Sequence, residues 1–130
     1  MNKKEIYKIY NECFCDHPNF IKKTINQWFD DLCIEVYENE INGKFPIILS
    51  YDDENNENGF LIYSKCFYEN SMNINYIAVR KKNRNNGVGR NLVNEFKLIA
   101  KSEKVEFVSV EVDHMNECAV NFFSKVGFKL

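Results

Sequence analysis

The sequence predicts an α/β protein of the α+β kind, with an antiparallel meander joined to a parallel strand pair in one mixed sheet and about four flanking helices. Three observations predict it. Two N-terminal segments carry apolar residues at helical spacing. Three apolar runs separated by polar turns then read as a strand meander. Finally, a strand enters a glycine-spaced turn that opens a helix, and another strand follows, so a right-handed crossover makes the last two strands parallel. A chain of 130 residues has room for one core, and residues 1–130 read as a single domain.

Each element has a local reason. Residues 3–15 place Ile6, Ile9, Tyr10, Cys13 and Phe14 on one helical face, and His17-Pro18 interrupts it. Residues 19–38 carry the stripe Ile21, Ile25, Trp28, Phe29, Leu32 and Val36, with Asp30, Asp31, Glu35 and Glu38 mostly off it, so Trp28 and Phe29 read as core. Asn42-Gly43 marks a turn. Residues 45–51 and 59–67 then read as strands around a solvated tip at 52–58, and Tyr68-Glu69-Asn70-Ser71 returns the chain into a third strand, 72–79. A helix over 87–102 turns Leu92, Phe96 and Ile99 inward, a strand over 105–112 follows, and a last helix over 116–125 closes at Gly127.

Composition narrows the partners. A hydrophobic fraction of 45%, with 11 Phe and 7 Tyr, suits a packed core. A net charge of −2 argues against broad nucleic-acid or membrane-surface binding. The N-terminus has no apolar signal region and no apolar run nears the roughly 18 residues of a span, so a cytoplasmic protein is expected. Five cysteines, Cys13, Cys15, Cys33, Cys66 and Cys118, form an odd set without C-x-x-C spacing. They read as reduced thiols, with no disulfide framework and no metal site.

The chemistry concentrates where Tyr76-Ile77-Ala78-Val79 runs into Arg84-Asn85-Asn86-Gly87-Val88-Gly89-Arg90. Two glycines one residue apart let the backbone turn tightly and keep side chains away, so that several N–H groups face one anion at the positive end of a helix. Arg80, Lys81, Lys82, Arg84 and Arg90 add a basic cluster suited to a ligand with several phosphate charges; a solvated basic loop is the alternative. A second segment follows about one βαβ unit later: Val110-Glu111-Val112-Asp113-His114-Met115-Asn116, then Ala119, then Phe122-Phe123-Ser124-Lys125-Val126-Gly127-Phe128.

Together these segments resemble the GNAT superfamily of acyl-CoA-dependent N-acyltransferases. The first matches the family's R/Q-x-x-G-x-G/A signature through Arg84, Gly87 and Gly89, and the second its strand, Asn, short helix and Gly-Phe through Asn116, Ala119, Gly127 and Phe128. The resemblance implies acetyl-CoA as co-substrate, no metal, and a pantetheine arm lying where the two parallel strands splay apart. Backbone groups of Ile77 and Val79 would pair with the pantetheine amides, and an amide near Val79 would face the thioester oxygen. N–H groups of Asn85, Asn86, Gly87, Val88, Gly89 and Arg90 would hold the diphosphate, with Arg84 at the signature position. Asn116 would contact the arm and also cap the last helix. The family's first strand and its final hairpin are missing or shortened here, which leaves a sheet edge that a second copy of the chain would cover.

The resemblance also frames catalysis. Glu111 interrupts an apolar strand where some relatives carry a Glu base, and burial would raise its pKa; a strand-end charge reaching solvent is the alternative. The other family position for a Glu holds Asn73. The usual general-acid Tyr is replaced by Phe123, with water, Ser124, Cys118 or Tyr76 as substitutes. His114 and His17 are further candidates for base or acceptor contact, each also explained as a loop residue. The activity expected is acetyl transfer to a primary amine of a small molecule, protein or peptide, by direct attack. The alternative is an acyl-CoA-binding or regulatory module with weak or no chemistry. Acidic residues on the second helix suit a cationic acceptor or simply a solvated face.

Overall fold

The computed structural model describes residues 3–18, 20–36, 47–51, 56–66, 68–112 and 115–129; expectations for residues 37–46, 52–55, 67, 113 and 114, His114 among them, lie outside it. The elements run α1 (Lys3–Phe14), α2 (Ile25–Val36), β1 (Ile47–Tyr51), β2 (Glu57–Cys66), β3 (Ser71–Val79), a 3-10 turn (Lys81–Asn83), α3 (Val88–Ser102), β4 (Phe107–Val110) and α4 (Glu117–Lys125). Strand order is β1-β2-β3-β4, with β1, β2 and β3 antiparallel and β3 parallel to β4. The meander and parallel pair expected from the sequence are both present.

Two cores sandwich the sheet. On one face Leu61, Tyr63, Met72 and Ile74 pack with Leu92, Val93 and Phe96 of α3 and Phe123 of α4. On the other, Phe60, Ile62 and Ala78 meet Ile6 and Ile9 of α1 and Trp28, Phe29 and Leu32 of α2. The alternation along β2 assigns Phe60 and Ile62 to one core and Leu61 and Tyr63 to the other, as a strand buried on both faces requires. Trp28 is 2% exposed, which makes it core.

Several boundaries moved for identifiable reasons. The second helix begins at Ile25 because Thr24 closes a reciprocal cap: its Oγ1 accepts from the Gln27 N–H at 3.2 Å, and its own N–H donates to Gln27 Oε1 at 3.0 Å. Ile21 therefore lies outside the helix and is 73% exposed, off the apolar stripe. β2 starts two residues earlier than expected, at Glu57, because Glu57 pairs with Tyr51 and the Asn58 carbonyl accepts from the Arg80 N–H at 2.9 Å. β4 is confined to Phe107–Val110, where its pairing with β3 begins and ends. The link before β4 turns through left-handed Lys104 (φ 57°), whose carbonyl accepts from Asn70 Nδ2 at 3.3 Å.

Helix α1 is fastened to the strand end that leads into the glycine turn. Arg80 Nη2 pairs with Glu5 Oε2, Arg80 Nε donates to the Glu57 carbonyl at 2.7 Å, and the Lys81 N–H donates to Glu12 Oε2 at 3.0 Å. The Arg80 guanidinium, by hydrogen bonding first, holds the Glu5 carboxyl below the usual carboxylate range. A depressed carboxyl contributes stability above its unfolded pKa and loses it as pH falls through the folded value. Glu5→Gln is accordingly expected to cost on the order of 1 kcal/mol at pH 7, and denaturation curves of variant and parent should converge once the pH drops below the Glu5 folded pKa.

Candidate functional site

The site begins where strand pairing stops. The parallel ladder runs Ser71↔Phe107, Met72↔Val108, Asn73↔Ser109 and Ile74↔Val110, and then ends, while β3 continues through residues 75–79. At the same point the β2–β3 register skips Asn75: Tyr63 pairs with Ile74 and Ile62 with Tyr76. This bulge bends the strand and shifts its alternation by one, so Ile74 and Ile77 both face α3 while Tyr76 and Ala78 face α1 and α2. β3 and β4 therefore part beyond Ile74 and Val110, leaving a gap in the ladder.

Backbone polarity along that edge follows from pairing. The Arg80 N–H bonds to β2, so by strand alternation the N–H and C=O groups of Ile77 and Val79 turn away from β2, toward the gap. The Val79 carbonyl meets two donors there, Arg84 Nε at 3.1 Å and Cys13 Sγ at 3.3 Å. Burial pushes the Cys13 thiol up, with Arg84 opposing it more weakly.

The turn has the shape of an anion cradle. Arg84 is extended (φ −71°), Asn85 is left-handed (φ 66°), and Gly87 is left-handed again (φ 81°) before α3 starts. Alternating the sign of φ gathers successive N–H groups on one concave side. Gly87 is the N-cap of α3, no side chain caps it, and the first backbone bond of the helix is Asn91 N–H to the Gly87 carbonyl at 2.9 Å. The amides of Val88, Gly89 and Arg90 therefore sit at a helix start with a positive dipole end. A Cβ on Gly87 would touch nothing within 4 Å, so the space above it is open. At Gly89 a Cβ would stand 3.1 Å from the Phe122 ring, so this glycine lets α4 approach the turn. An amide cluster at an uncapped helix start with open space above it, joined to a strand edge with its polar groups turned outward, fits a diphosphate carried on an amide-bearing arm.

The other expected residues fall as follows. Asn116 caps α4, its Oδ1 accepting from the Ala119 N–H at 3.2 Å, and is exposed. Lys81, Lys82, Arg84 and Arg90 are exposed around the turn, whereas Arg80 is committed to Glu5 and Glu57. Glu111 lies one residue beyond β4 and is exposed, a strand-end charge reaching solvent as the second of its two alternatives has it, because β4 ends at Val110. It lines a groove of about 660 Å³ together with Phe123 and Ser124 of α4, along the β4 side that carries no strand among the described residues. Phe123 is 7% exposed and packs edge-on against Phe122 and Phe128. Among the described residues no group of three or more His, Cys, Asp or Glu is gathered as a metal would need, and no helix is long and apolar enough to cross a membrane.

Sequence reasoning missed Glu12 and Cys13 as neighbours of the strand end. The signal was present: Cys13 shares a helical stripe with Tyr10 and Phe14, and that stripe lands on β3.

The acetyltransferase (GNAT) family model matches residues 3–128. Among solved structures, a putative streptothricin acetyltransferase from Bacillus anthracis, crystallised with acetyl coenzyme A, is 30% identical over 72% of this chain and 53% of its own, with a TM-score of 0.62. Nourseothricin acetyltransferase is 25% identical over 65% of this chain and 49% of its own, also at 0.62. The chain thus spans about half the length of these two enzymes. A GNAT-family acetyltransferase from Staphylococcus aureus Mu50 shares the fold over 98% of this chain and 77% of its own, with 20% identity and a TM-score of 0.76. No curated protein sequence matches the chain.

The glycine turn yields a direct test. Because Gly87 is left-handed but has room for a side chain, Gly87→Ala is expected to cost about 1–2 kcal/mol through backbone strain alone, read from chemical denaturation, and Gly87→Asn should recover part of it.

Proposed function

Because the chain belongs to the GNAT acetyltransferase family, matched over residues 3–128, we propose that it transfers the acetyl group of acetyl-CoA to a primary amine, of a small molecule or of a protein or peptide, by direct attack. One observation carries this reading: the β3 edge left unpaired after Ile74 leads straight to the uncapped start of α3. In it, the amides from Asn85 to Arg90 receive the diphosphate, with Lys81, Lys82, Arg84 and Arg90 adding charge. Ile77 and Val79 pair with the pantetheine arm, as a partner strand would. Asn116 stands at the head of α4, close to the sequence that follows β4.

The amine must lose a proton before it attacks. Glu111 is assigned as the base, working through water from its exposed position at the end of β4. The new N–C bond forms as the C–S bond breaks, the developing oxyanion is met by a strand-end amide at Val79, and the thiolate takes its proton from solvent, since Phe123 has none to give. A covalent acyl-enzyme is not part of the scheme: burial raises the Cys13 thiol pKa, which leaves little thiolate for nucleophilic work. The exposure of Glu111 and the burial of Phe123 favour one alternative, a CoA-binding or regulatory module without efficient turnover.

Two further parts of the reading concern surroundings. A second copy of the chain covers the outer side of β4, where no strand pairs among the described residues. A cytoplasmic location accords with the free thiols of Cys13, Cys15, Cys66 and Cys118.

Calorimetry with acetyl-CoA is expected to give saturable heat, and thiol release in the presence of amines should fall about 10²-fold in Glu111→Gln with the CoA affinity unchanged. Saturable binding without amine-dependent thiol release would favour the module, and absence of heat at millimolar ligand would remove both readings. Light scattering should return the mass of two chains; a single-chain mass at high concentration would exclude the pairing.

A further inference from the structure

From Val108 to Val112 alternate residues take opposite sides of the chain. Val108, Val110 and Val112 pack on the core that α3 and α4 share, so Ser109 and Glu111 stand together on the other side. Both line the groove of about 660 Å³ beside β4, Ser109 half-buried and Glu111 exposed. Ser109 is register-paired with Asn73, next to the Ile74 and Val110 pair at which the ladder ends. Its Oγ–H donates to Asn73 Oδ1 at 3.0 Å, a polar couple set between Met72, Ile74, Val108 and Val110.

That bond fixes what the hydroxyl can do next. A serine hydroxyl has one proton and two lone pairs, and with the proton given to Asn73 it offers anything else only an acceptor. An ionised Glu111 offers only acceptors too. Alternate residues of a strand lie about 6.6 Å apart, and one water making two hydrogen bonds of about 2.8 Å can bridge side chains so placed. Resting on the transferase reading with Glu111 as base, we infer that Ser109, oriented by Asn73, is a positioning residue that anchors the water through which Glu111 works. One O–H of this water points to Ser109 Oγ and the other to Glu111, which leaves its lone pairs for the amine. The ammonium nitrogen gives a proton to the water as the water gives one to the Glu111 carboxylate. The water is restored, the amine is neutral, and Ser109 keeps its own proton throughout. An exposed carboxylate has no packing to aim it, and the Ser109–Asn73 couple supplies the aim.

The experiment follows thiol release from acetyl-CoA by the full chain with butylamine, 2-phenylethylamine, spermidine and a short peptide bearing a free N-terminus. Ser109→Ala is expected to lower kcat about tenfold, with the KM for the amine and the calorimetric affinity for acetyl-CoA unchanged. Ser109→Thr keeps the hydroxyl and should restore most of the rate. In the Glu111→Gln background Ser109→Ala should cost nothing further, because a relay with no base behind it has nothing to deliver. Thermal melting reports folding, and Asn73→Ala gives the same cycle with Glu111→Gln should Ser109→Ala not fold. An unchanged kcat in Ser109→Ala, a Ser109→Thr no better than Ser109→Ala, or a loss that simply multiplies that of Glu111→Gln overturns the inference and leaves the transferase reading standing. Acetyl-CoA binding without thiol release by the parent chain on any of the four amines overturns both.

Discussion

The loss of partnership between β3 and β4 beyond Ile74 and Val110 is the constraint on which the rest of the molecule is arranged. A parallel strand normally has both edges occupied, and buried backbone groups left alone cost free energy. Here the bulge at Asn75 bends β3 away, and the edge is turned to use. Its last carbonyl is met by a thiol from one helix and a guanidinium from the turn. The phase shift at the bulge also divides labour, sending Ile77 and Val79 toward the α3 side and Tyr76 and Ala78 toward α1.

The basic cluster illustrates how one patch of sequence splits in three dimensions. Arg80 is structural, because its guanidinium spans Glu5 and the Glu57 carbonyl. The remaining cations stay exposed around an uncapped helix start. Positive charge in a chain of net charge −2 is thereby spent twice, once to close α1 against the sheet and once to face solvent where an anion would arrive.

Much of this was legible beforehand, because the relevant signals are local. Alternation in the strands, the 3.6-residue stripe of α1 and the φ > 0 demand at Gly87 and Gly127 each belong to a few consecutive residues. The Gly-x-Gly turn and the Asn116 cap were read correctly for the same reason. What could not be read is what depends on partners far along the chain. Whether Glu111 is buried in a strand or reaches solvent at its end was left open, because β4 has only the span that β3 pairs with before the bulge, and the bulge itself leaves no mark in the pattern around Asn75. The start of α2 was misjudged because the reciprocal Thr24–Gln27 cap was outweighed by the apolar Ile21. The ties of Glu5, Glu12 and Cys13 to residues 79–81 span more than sixty positions, beyond any local rule.

Those ties have a mechanical consequence. Because Cys13 and Glu12 sit on the peptides at Val79 and Lys81, α1 cannot shift without moving the end of β3, and the converse holds equally. Two ligands that touched opposite sides of this joint would sense each other without meeting, and thermodynamic linkage makes such an influence symmetric: whichever arrived first would alter the affinity for the second by the same factor in either order.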